Sequence, residues 1–480
     1  RPGLEFQFAK EKEKLSVRVA ADAEPGLYWL RFYDAAGATA PTPFVVGQLP
    51  ETVDAEPNER PGQAQQITQP SVIVNGRLAR RGDVDHFGVK LAKGQTLVAR
   101  IDAQQPLESP VDCLLEIVTP AGFVSVRNED HLGLDPRVVF VAPTDGQYFV
   151  RVFGFPATPD STIGLAGGDA YIYRLLLTTE GFVDHAWPLA VGTATERVDL
   201  VGWNLAVTTG IVPRPTSDPR WAAIVEPQVA NRLLLPIEPH LSLLADESAD
   251  PTHPQAITLP VTVTGRIAAP RGKQAFRFAA KGGTTLILRV DSRELGFDLD
   301  PVLELLDAAG KSVAKVDDSA GGRDAELTFA VPADGDYVLQ VCDLHRQGGP
   351  RFVYRLRATT AQPDYALSVA GEGFVVAAGG QLEIPVKVDR LLGFNQPVAI
   401  QIEGLPAGAT CDLVTSPAEG DAAKEIKLVV KGGDSAGSGA IQFVGRVAGA
   451  ESLVRRATAP IAGRTAKTDR CWLTVTAAAK

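Results

Sequence analysis

One stretch of this chain is written twice. Gly76, Phe87, Gly94, Arg100, Asp102, Pro143, Gly146 and Tyr148 return as Gly265, Phe276, Gly283, Arg289, Asp291, Pro332, Gly335 and Tyr337, always 189 positions later. A repeat on this scale makes the 480 residues a string of folded modules rather than one large core. It also sets up an internal comparison. Residues kept in both copies belong to the scaffold, and residues present in only one copy are where a specific function is to be sought.

Within the modules the pattern is that of strands. Leu15-Ser16-Val17-Arg18-Val19, Phe149-Val150-Arg151-Val152-Phe153 and Ala275-Phe276-Arg277-Phe278 alternate in character, the period that puts one face on a core and the other in water. Turn pairs such as Ala121-Gly122, Asp145-Gly146, Ala309-Gly310 and Asp334-Gly335 interrupt the runs at short intervals. The 46 Gly and 35 Pro suit many tight turns, and no segment holds an amphipathic helical period for three turns. The expectation is an all-β chain of tandem β-sandwiches.

Residues 1–49 read as the closing strands of an immunoglobulin-like module, 50–180 as the first repeat and 181–245 as a small immunoglobulin-like module. Residues 246–361 read as the second repeat and 362–480 as a last immunoglobulin-like module. Asp250-Pro251-Thr252-His253-Pro254 and Ala361-Gln362-Pro363-Asp364 read as joints, where few contacts should cross.

The net charge of −10 argues against nucleic acid as a partner, since phosphate binding needs a clustered basic face. No apolar run reaches the roughly 18 residues of a membrane span. The chain contains no Met and opens on Arg-Pro-Gly, so it reads as a processed or partial product whose targeting segment lies outside it. Cys113 and Cys342 sit at non-equivalent places in the two copies and read as buried free thiols. Cys411 and Cys471 fall in one module and are either a disulfide or two more thiols.

Several ordered segments carry a family likeness. In the first copy they are Asp54-Ala55-Glu56-Pro57-Asn58, Gly82-Asp83-Val84-Asp85-His86-Phe87, Ala92-Lys93-Gly94-Gln95-Thr96-Leu97 and Asp145-Gly146-Gln147-Tyr148-Phe149-Val150-Arg151-Val152. In the second they are Phe297-Asp298-Leu299-Asp300-Pro301, Leu306-Asp307-Ala308-Ala309-Gly310, Asp317-Asp318 and Gly335-Asp336-Tyr337. In these the repeats resemble the bacterial pre-peptidase C-terminal (PPC) domain, a jelly-roll-like β-sandwich. Gly202-Trp203-Asn204-Leu205 is similar to the Gly-x-Asn-Leu signature of transcription-factor-type immunoglobulin (IPT/TIG) domains. Arg390-Leu391-Leu392-Gly393-Phe394 with Gly404-Leu405-Pro406-Ala407-Gly408 resembles immunoglobulin-like modules of large exported planctomycete proteins.

The resemblance implies jelly-roll-like sandwiches alternating with immunoglobulin-like modules in an exported chain, extracellular, cell-surface or periplasmic. It implies a non-catalytic role, with other envelope or extracellular proteins, or polysaccharide, as partners. Two readings follow from it. One is a structural, adhesion or assembly segment of a large exported protein; the other is a substrate-targeting accessory region of a secreted hydrolase whose catalytic domain lies outside this chain.

Calcium needs roughly six to eight oxygen ligands, mostly from carboxylates, amides and carbonyls. Asp54, Glu56 and Asn58 alternate, so on an extended strand they share one face. Asp83 and Asp85 share a face on a turn leading into a strand. In the family these two segments approach each other and supply calcium ligands. The resemblance therefore implies a Ca²⁺ site at Asp54, Glu56, Asn58, Asp83 and Asp85, in competition with their reading as solvated turn acids. The second copy holds Gly272 and Gln274 where the first has Asp83 and Asp85, and its lead-in, Asp246-Glu247-Ser248-Ala249-Asp250, lacks the Glu-Pro-Asn run. No calcium site is expected there. Asp298, Asp300, Asp317, Asp318 and Asp324 read as surface-loop acids.

Gly433-Asp434-Ser435-Ala436-Gly437 fits the Gly-x-Ser-x-Gly pattern of a nucleophile elbow. That motif needs a strand-to-helix turn and a later His, and no His follows His345. A hairpin loop is the reading, with no catalytic residue assigned. His86, beside Asp85, reads as a strand residue. Trp187, Trp203 and Trp221 all fall in the small middle module. Trp203 reads as core; Trp187 and Trp221 stay open between core and a ligand surface.

Overall fold

The structure, a computed structural model, describes residues 3–8, 15–158, 164–192, 197–319 and 321–477. It is all-β: among the described residues every regular element is a strand except three single-turn 3₁₀ segments. Contacts divide the chain into two compact units, Arg1–Gly26 with Val46–Ala361, and Leu27–Val45 with Gln362–Lys480.

In the first unit each repeat folds into two five-stranded sheets enclosing one apolar core. One sheet of the first copy runs Val124–Asn128, Val111–Val118, Gly146–Pro156, Asp85–Leu91, Gln65–Ile67; the other runs Arg137–Val141, Thr96–Asp102, Ile172–Thr178, Ser71–Arg77, Glu51–Val53. The second copy repeats the first order as Ser312–Val316, Pro301–Leu306, Gly335–Asp343, Lys273–Ala280, Gln255–Ala256. It repeats the other as Glu326–Ala330, Thr285–Asp291, Val353–Thr360, Val261–Arg266, Leu241–Leu244. Register is kept as well: Phe87 pairs with Val150 and Phe276 with Leu339.

The recurring residues have local causes. A Cβ on Gly76 would lie 2.1 Å from the ring of Tyr173, and one on Gly265 would lie 2.3 Å from Tyr354. Only glycine lets these buried tyrosines cross the neighbouring strand. Gly94 and Gly283 hold φ of +82° and +80°, left-handed turns that disfavour side chains. Tyr148 and Tyr337 each donate their hydroxyl to a backbone carbonyl four residues earlier, Thr144 at 2.9 Å and Ala333 at 3.2 Å. That satisfies the polar tip of an otherwise buried ring.

In each sandwich the lead-in crosses from one sheet to the other. Glu51–Val53 runs parallel to Ser71–Arg77, and Gln65–Ile67 runs parallel to Asp85–Leu91. Residues 54–64 therefore span the end of the sandwich, past the start of the Asp85–Leu91 strand. Leu241–Leu244 and Gln255–Ala256 make the same crossing in the second copy. Asp250–Pro254 thus lies inside the second sandwich rather than at a joint, and that sandwich begins ahead of residue 246.

The middle module pairs Phe182–Trp187 with Asp199–Trp203 over a core that includes Val183, Ala186, Leu200 and Leu235. Trp203 is not in that core. It is half-buried, facing Phe182 at 6.1 Å and covered by the Arg137 guanidinium at 5.0 Å, among residues of the first sandwich such as Val98 and Leu176. Trp187 is likewise half-buried, against Leu189, Phe297 and Val353 of the second-sandwich side. Trp221 is exposed.

Asp184 ties the three modules together. Its side chain is only 5% exposed and accepts from Arg137 of the first sandwich at 2.5 Å and from Arg351 of the second. His185 bonds the same carboxylate at 2.9 Å and meets Phe297 edge-on at 5.1 Å. Burial alone would push the Asp184 carboxyl up, but the His185 bond and the charges of Arg137 and Arg351 outweigh it and hold the group well below the usual carboxylate range.

In the second unit, the sheet Asp364–Ser368, Gln381–Leu391, Glu425–Lys431, Thr410–Cys411 packs on the sheet Gly373–Ala377, Cys471–Thr476, Gly437–Val447, Val398–Glu403, Val414–Ser416. Segment 27–45 groups with this sandwich through a buried pair, Arg31 to Glu372 at 2.7 Å, and through Tyr33 against Trp472 at 4.6 Å. Cys411 and Cys471 stand in different sheets, and all four cysteines are free thiols.

Candidate metal centre

The lead-in of the first sandwich brings acids to one point. Carboxylate oxygens of Asp54, Glu56 and Asp85 lie within 4.8 Å of one another. Asn58 joins them, its amide donating to Asp54 Oδ1 at 2.6 Å and its backbone N–H to Glu56 Oε2 at 3.0 Å. The sequence pattern anticipated a shared strand face, but these residues lie past the end of Glu51–Val53 in a bend. They converge because the chain turns across the sandwich end, not because side chains alternate.

Asp83 stands slightly apart. One of its oxygens caps the Ala79 N–H at 2.6 Å, and it lies outside the 4.8 Å group. It is nonetheless buried, and its charge acts on Asp54, Glu56 and Asp85. His86 faces away from the carboxylates: its backbone N–H and ring both meet the Asn58 carbonyl, at 3.1 and 3.2 Å.

Sequence reasoning missed Tyr173. This wholly buried ring, seated over Gly76, donates its hydroxyl to Asp85 Oδ2. The recurrence of Gly76 as Gly265 was the available signal that something large crosses there. Tyr173 fixes Oδ2 of Asp85 and leaves Oδ1 without a hydrogen-bond partner. Asp85 Oδ1 and Asn58 Oδ1 are both buried and have no hydrogen-bond partner. A buried acceptor without a partner costs about 1–3 kcal/mol, so both oxygens are open to a hydrogen-bond donor or a cation.

The electrostatics agree. Burial pushes Asp85 up to about 8, with the Asp54 charge adding, and pushes Asp54 up to about 6, with Glu56 and Asp83 adding. Burial also raises Glu56. Among the described residues no ion pair within 4.0 Å reaches Asp54, Glu56, Asp83 or Asp85; the nearby Arg80 is paired with Glu59. The donor set is all oxygen, the hard set that suits Ca²⁺ rather than Zn²⁺.

A second acid group, Asp291, Glu294 and Asp324, differs in kind. Asp291 is bonded by Arg289, Arg355 and Arg357 at 2.6, 2.9 and 3.1 Å, and Glu294 by Arg289 at 2.6 Å. Asp324 is buried, not a surface-loop acid: it accepts the backbone N–H groups of Ser292, Arg293 and Glu294 at 2.8, 2.8 and 3.1 Å. Its counterpart Asp135 caps Ala103, Gln104 and Gln105 in the same way. These charges are already compensated, and the set is scaffold. Gly433–Gly437 lies in a loop that leads into the strand Gly437–Val447, so the Gly-x-Ser-x-Gly run makes no strand-to-helix elbow.

Residues 272–342 match the bacterial pre-peptidase C-terminal domain. The match falls on the second copy, the one without the acid cluster. Over 324 residues, 64% of this chain, the sequence is 27% identical to a probable subtilase-type serine protease of Deinococcus radiodurans. The chain spans 39% of the length of that relative. Among solved structures, the pre-peptidase C-terminal domain of a Bacillus anthracis collagenase is similar at 19% identity and a TM-score of 0.19, covering 24% of this chain and all of that one. Fibronectin(III)-like modules of Clostridium thermocellum CbhA are similar at 10% identity and a TM-score of 0.16, covering 48% of this chain and 93% of that one. No helix among the described residues is long and apolar enough to cross a membrane.

Proposed function

We propose that this chain is a non-catalytic accessory region of an exported protein, of the kind that accompanies a secreted serine protease, and that one Ca²⁺ stiffens its first sandwich. The likeness to the Deinococcus protease supports the accessory role. The calcium rests on one observation: Asn58 and Asp85 each keep a buried, unpartnered oxygen, and the carboxylates of Asp54, Glu56 and Asp85 lie within 4.8 Å of one another. Asp54, Glu56, Asn58 and Asp85 would hold the ion, with Asp83 adding charge from behind. Its work is positional, closing the lead-in onto the sandwich so that residues 54–64 and the Asp85–Leu91 strand move as one.

Calorimetric titration of the chelator-treated full chain with CaCl₂ tests this. One ion is expected to bind per chain, with binding lost in Asp85→Asn and Asp54→Asn and kept in Asp324→Asn. Absence of calcium binding in the wild-type chain, or equal binding by the Asp85→Asn variant, overturns the site.

A further inference from the structure

The internal comparison picks out a second place, on the opposite copy. A groove of about 610 Å³ opens on the outer face of the second sandwich, lined by Arg271, Lys273, Lys315 and Arg346 around a half-buried Cys342. Among the described residues none of these four cations forms an ion pair within 4.0 Å. Lys273 donates only to the neutral Gln340, at 3.2 Å. In a chain of net charge −10, a lining in which four cations outnumber three acids, Glu304, Asp317 and Asp343, runs against the overall sign.

Strand register shows what the first copy has instead. Cys342 pairs beside Val302 and Lys273; the matching residue beside Leu114 is Phe153, whose ring lies under the Arg151 guanidinium at 5.8 Å. Glu304 lies between Lys315 and Gln340 in register, as Glu116 lies between Arg127 and Arg151. Glu116 takes Arg151 at 2.6 Å and Arg127 at 3.9 Å, and Arg127 also takes Glu129 at 2.8 Å. This face thus carries an aromatic ring and a Glu–Arg network in the first copy, and in the second a cysteine with no ion pair within 4.0 Å at its cations among the described residues.

The backbone adds an independent sign. Gly82 turns with φ of +85°, and the residue 189 positions later in the same left-handed turn is Arg271, at φ +65°. Arg346, at φ +58°, accepts the Arg271 N–H on its carbonyl at 2.9 Å. Arg271 thus holds a conformation that costs about 1–2 kcal/mol outside glycine, where the first copy has Gly82. Of the acids in the lining, Asp343 accepts the N–H groups of Asp300 and Gln347, at 3.0 and 2.9 Å, and keeps its charge. Glu304, Asp317 and Asp343 thus stand against the four cations, and the lining keeps an excess of positive charge.

We propose that this groove binds an extended acidic peptide segment. Charge complementarity selects the acid. The outermost strand of the sheet, Ser312–Val316, lies alongside and offers an edge for an added strand. The apolar lining is aliphatic, Val302, Val316 and Leu344, with no aromatic ring on which a sugar could stack.

The test uses the full chain and a fluorescein-labelled decapeptide of alternating Asp and Val, read by anisotropy. The acidic peptide is expected to bind at least tenfold more tightly than its Asn-for-Asp counterpart and to weaken with added salt. Lys273→Glu with Arg346→Glu should cut affinity tenfold or more. Arg271→Gly, which installs the residue the first copy uses, should weaken binding several-fold while leaving the melting temperature unchanged or higher. Bound peptide should slow alkylation of Cys342 by iodoacetamide, located by peptide mass mapping. No preference for the acidic peptide, or unchanged binding by both variants, overturns the proposal. So does oligogalacturonate binding as tightly as the peptide, which would make the groove a site for anionic glycan.

Discussion

The two sandwiches share the same strand order, and one of their buried differences is decisive. Asp85 and Gln274 are equivalent, and each accepts the hydroxyl hydrogen of a wholly buried tyrosine, Tyr173 or Tyr354. The Gln274 amide is also satisfied by the Arg266 N–H at 3.1 Å and the Asp246 carbonyl at 3.3 Å. Asp85 leaves one oxygen bare among other acids. The fold therefore needs an acceptor for the tyrosine but not a charge. A carboxyl at that position is more than the tyrosine requires.

The largest expected effect comes from uncoupling the two sandwiches so that their separate stabilities become visible. Asp184 is the shared acid between Arg137 and Arg351, and removing one partner of a buried ion pair costs about 3–5 kcal/mol because the others stay buried and unpaired. Asp184→Ala is expected to split one calorimetric transition for residues 46–361 into two. Acid should act alike. The carboxyl is held low in the folded chain, so the stability it contributes is present above the ordinary carboxylate range and lost as pH falls through its depressed value. A single unshifted transition in the variant would mean that the apolar contacts around Phe182 and Leu189 hold the junction alone.

With the transitions resolved, calcium should move only the first. A ligand at about a hundred times its Kd stabilises by about 2.7 kcal/mol, and of the two sandwiches only the first shows buried, unpartnered side-chain oxygens among the described residues. Scanning calorimetry of Asp184→Ala with and without calcium gives the answer. Movement of both transitions would place an ion at Asp291 and Asp324 as well, against their pairing with arginines and backbone N–H groups.

Much of the scaffold was legible in the repeat, because Gly76, Gly94 and Tyr148 answer to local demands that act identically in both copies. The five candidate ligands were legible as residues, and the comparison at Asp85 and Gln274 was available from spacing alone. Their geometry was not: alternation along Asp54-Ala55-Glu56-Pro57-Asn58 suggested a strand face, whereas a bend across the sandwich end gathers them. Trp203 looked like core because aromatic content does not say which module a ring packs against. Asp184 gave no sign, since a lone acid becomes a junction only when Arg137 and Arg351 arrive from either side. The groove around Cys342 was hidden for a related reason. The 189-residue offset already sets Phe153 against Cys342, but its neighbours come from several strands and turns, and only the fold gathers them.

The smallest effect isolates the charge at Asp85 itself. In metal-free protein Asp85 is pushed up to about 8 and Asp54 to about 6, while an unfolded Asp titrates near about 3.9. An acid whose folded pKa lies above its unfolded one binds more protons when folded. Its favourable contribution is complete below pH of about 4 and drains away as pH rises through about 6 and then about 8. The metal-free first sandwich should therefore lose stability from weakly acid to weakly alkaline pH, and the second sandwich, with Gln274, should not share that loss. Asp85→Asn removes the charge and keeps an acceptor for Tyr173. At neutral pH without calcium it should gain about 1–3 kcal/mol, the cost of a buried polar group left unpaired, and flatten most of the pH dependence. With calcium the order should reverse, the wild type becoming the more stable protein. A variant less stable than wild type in chelator, at every pH, would show that the carboxylate serves the fold after all, and the difference between the two copies would then carry no functional meaning.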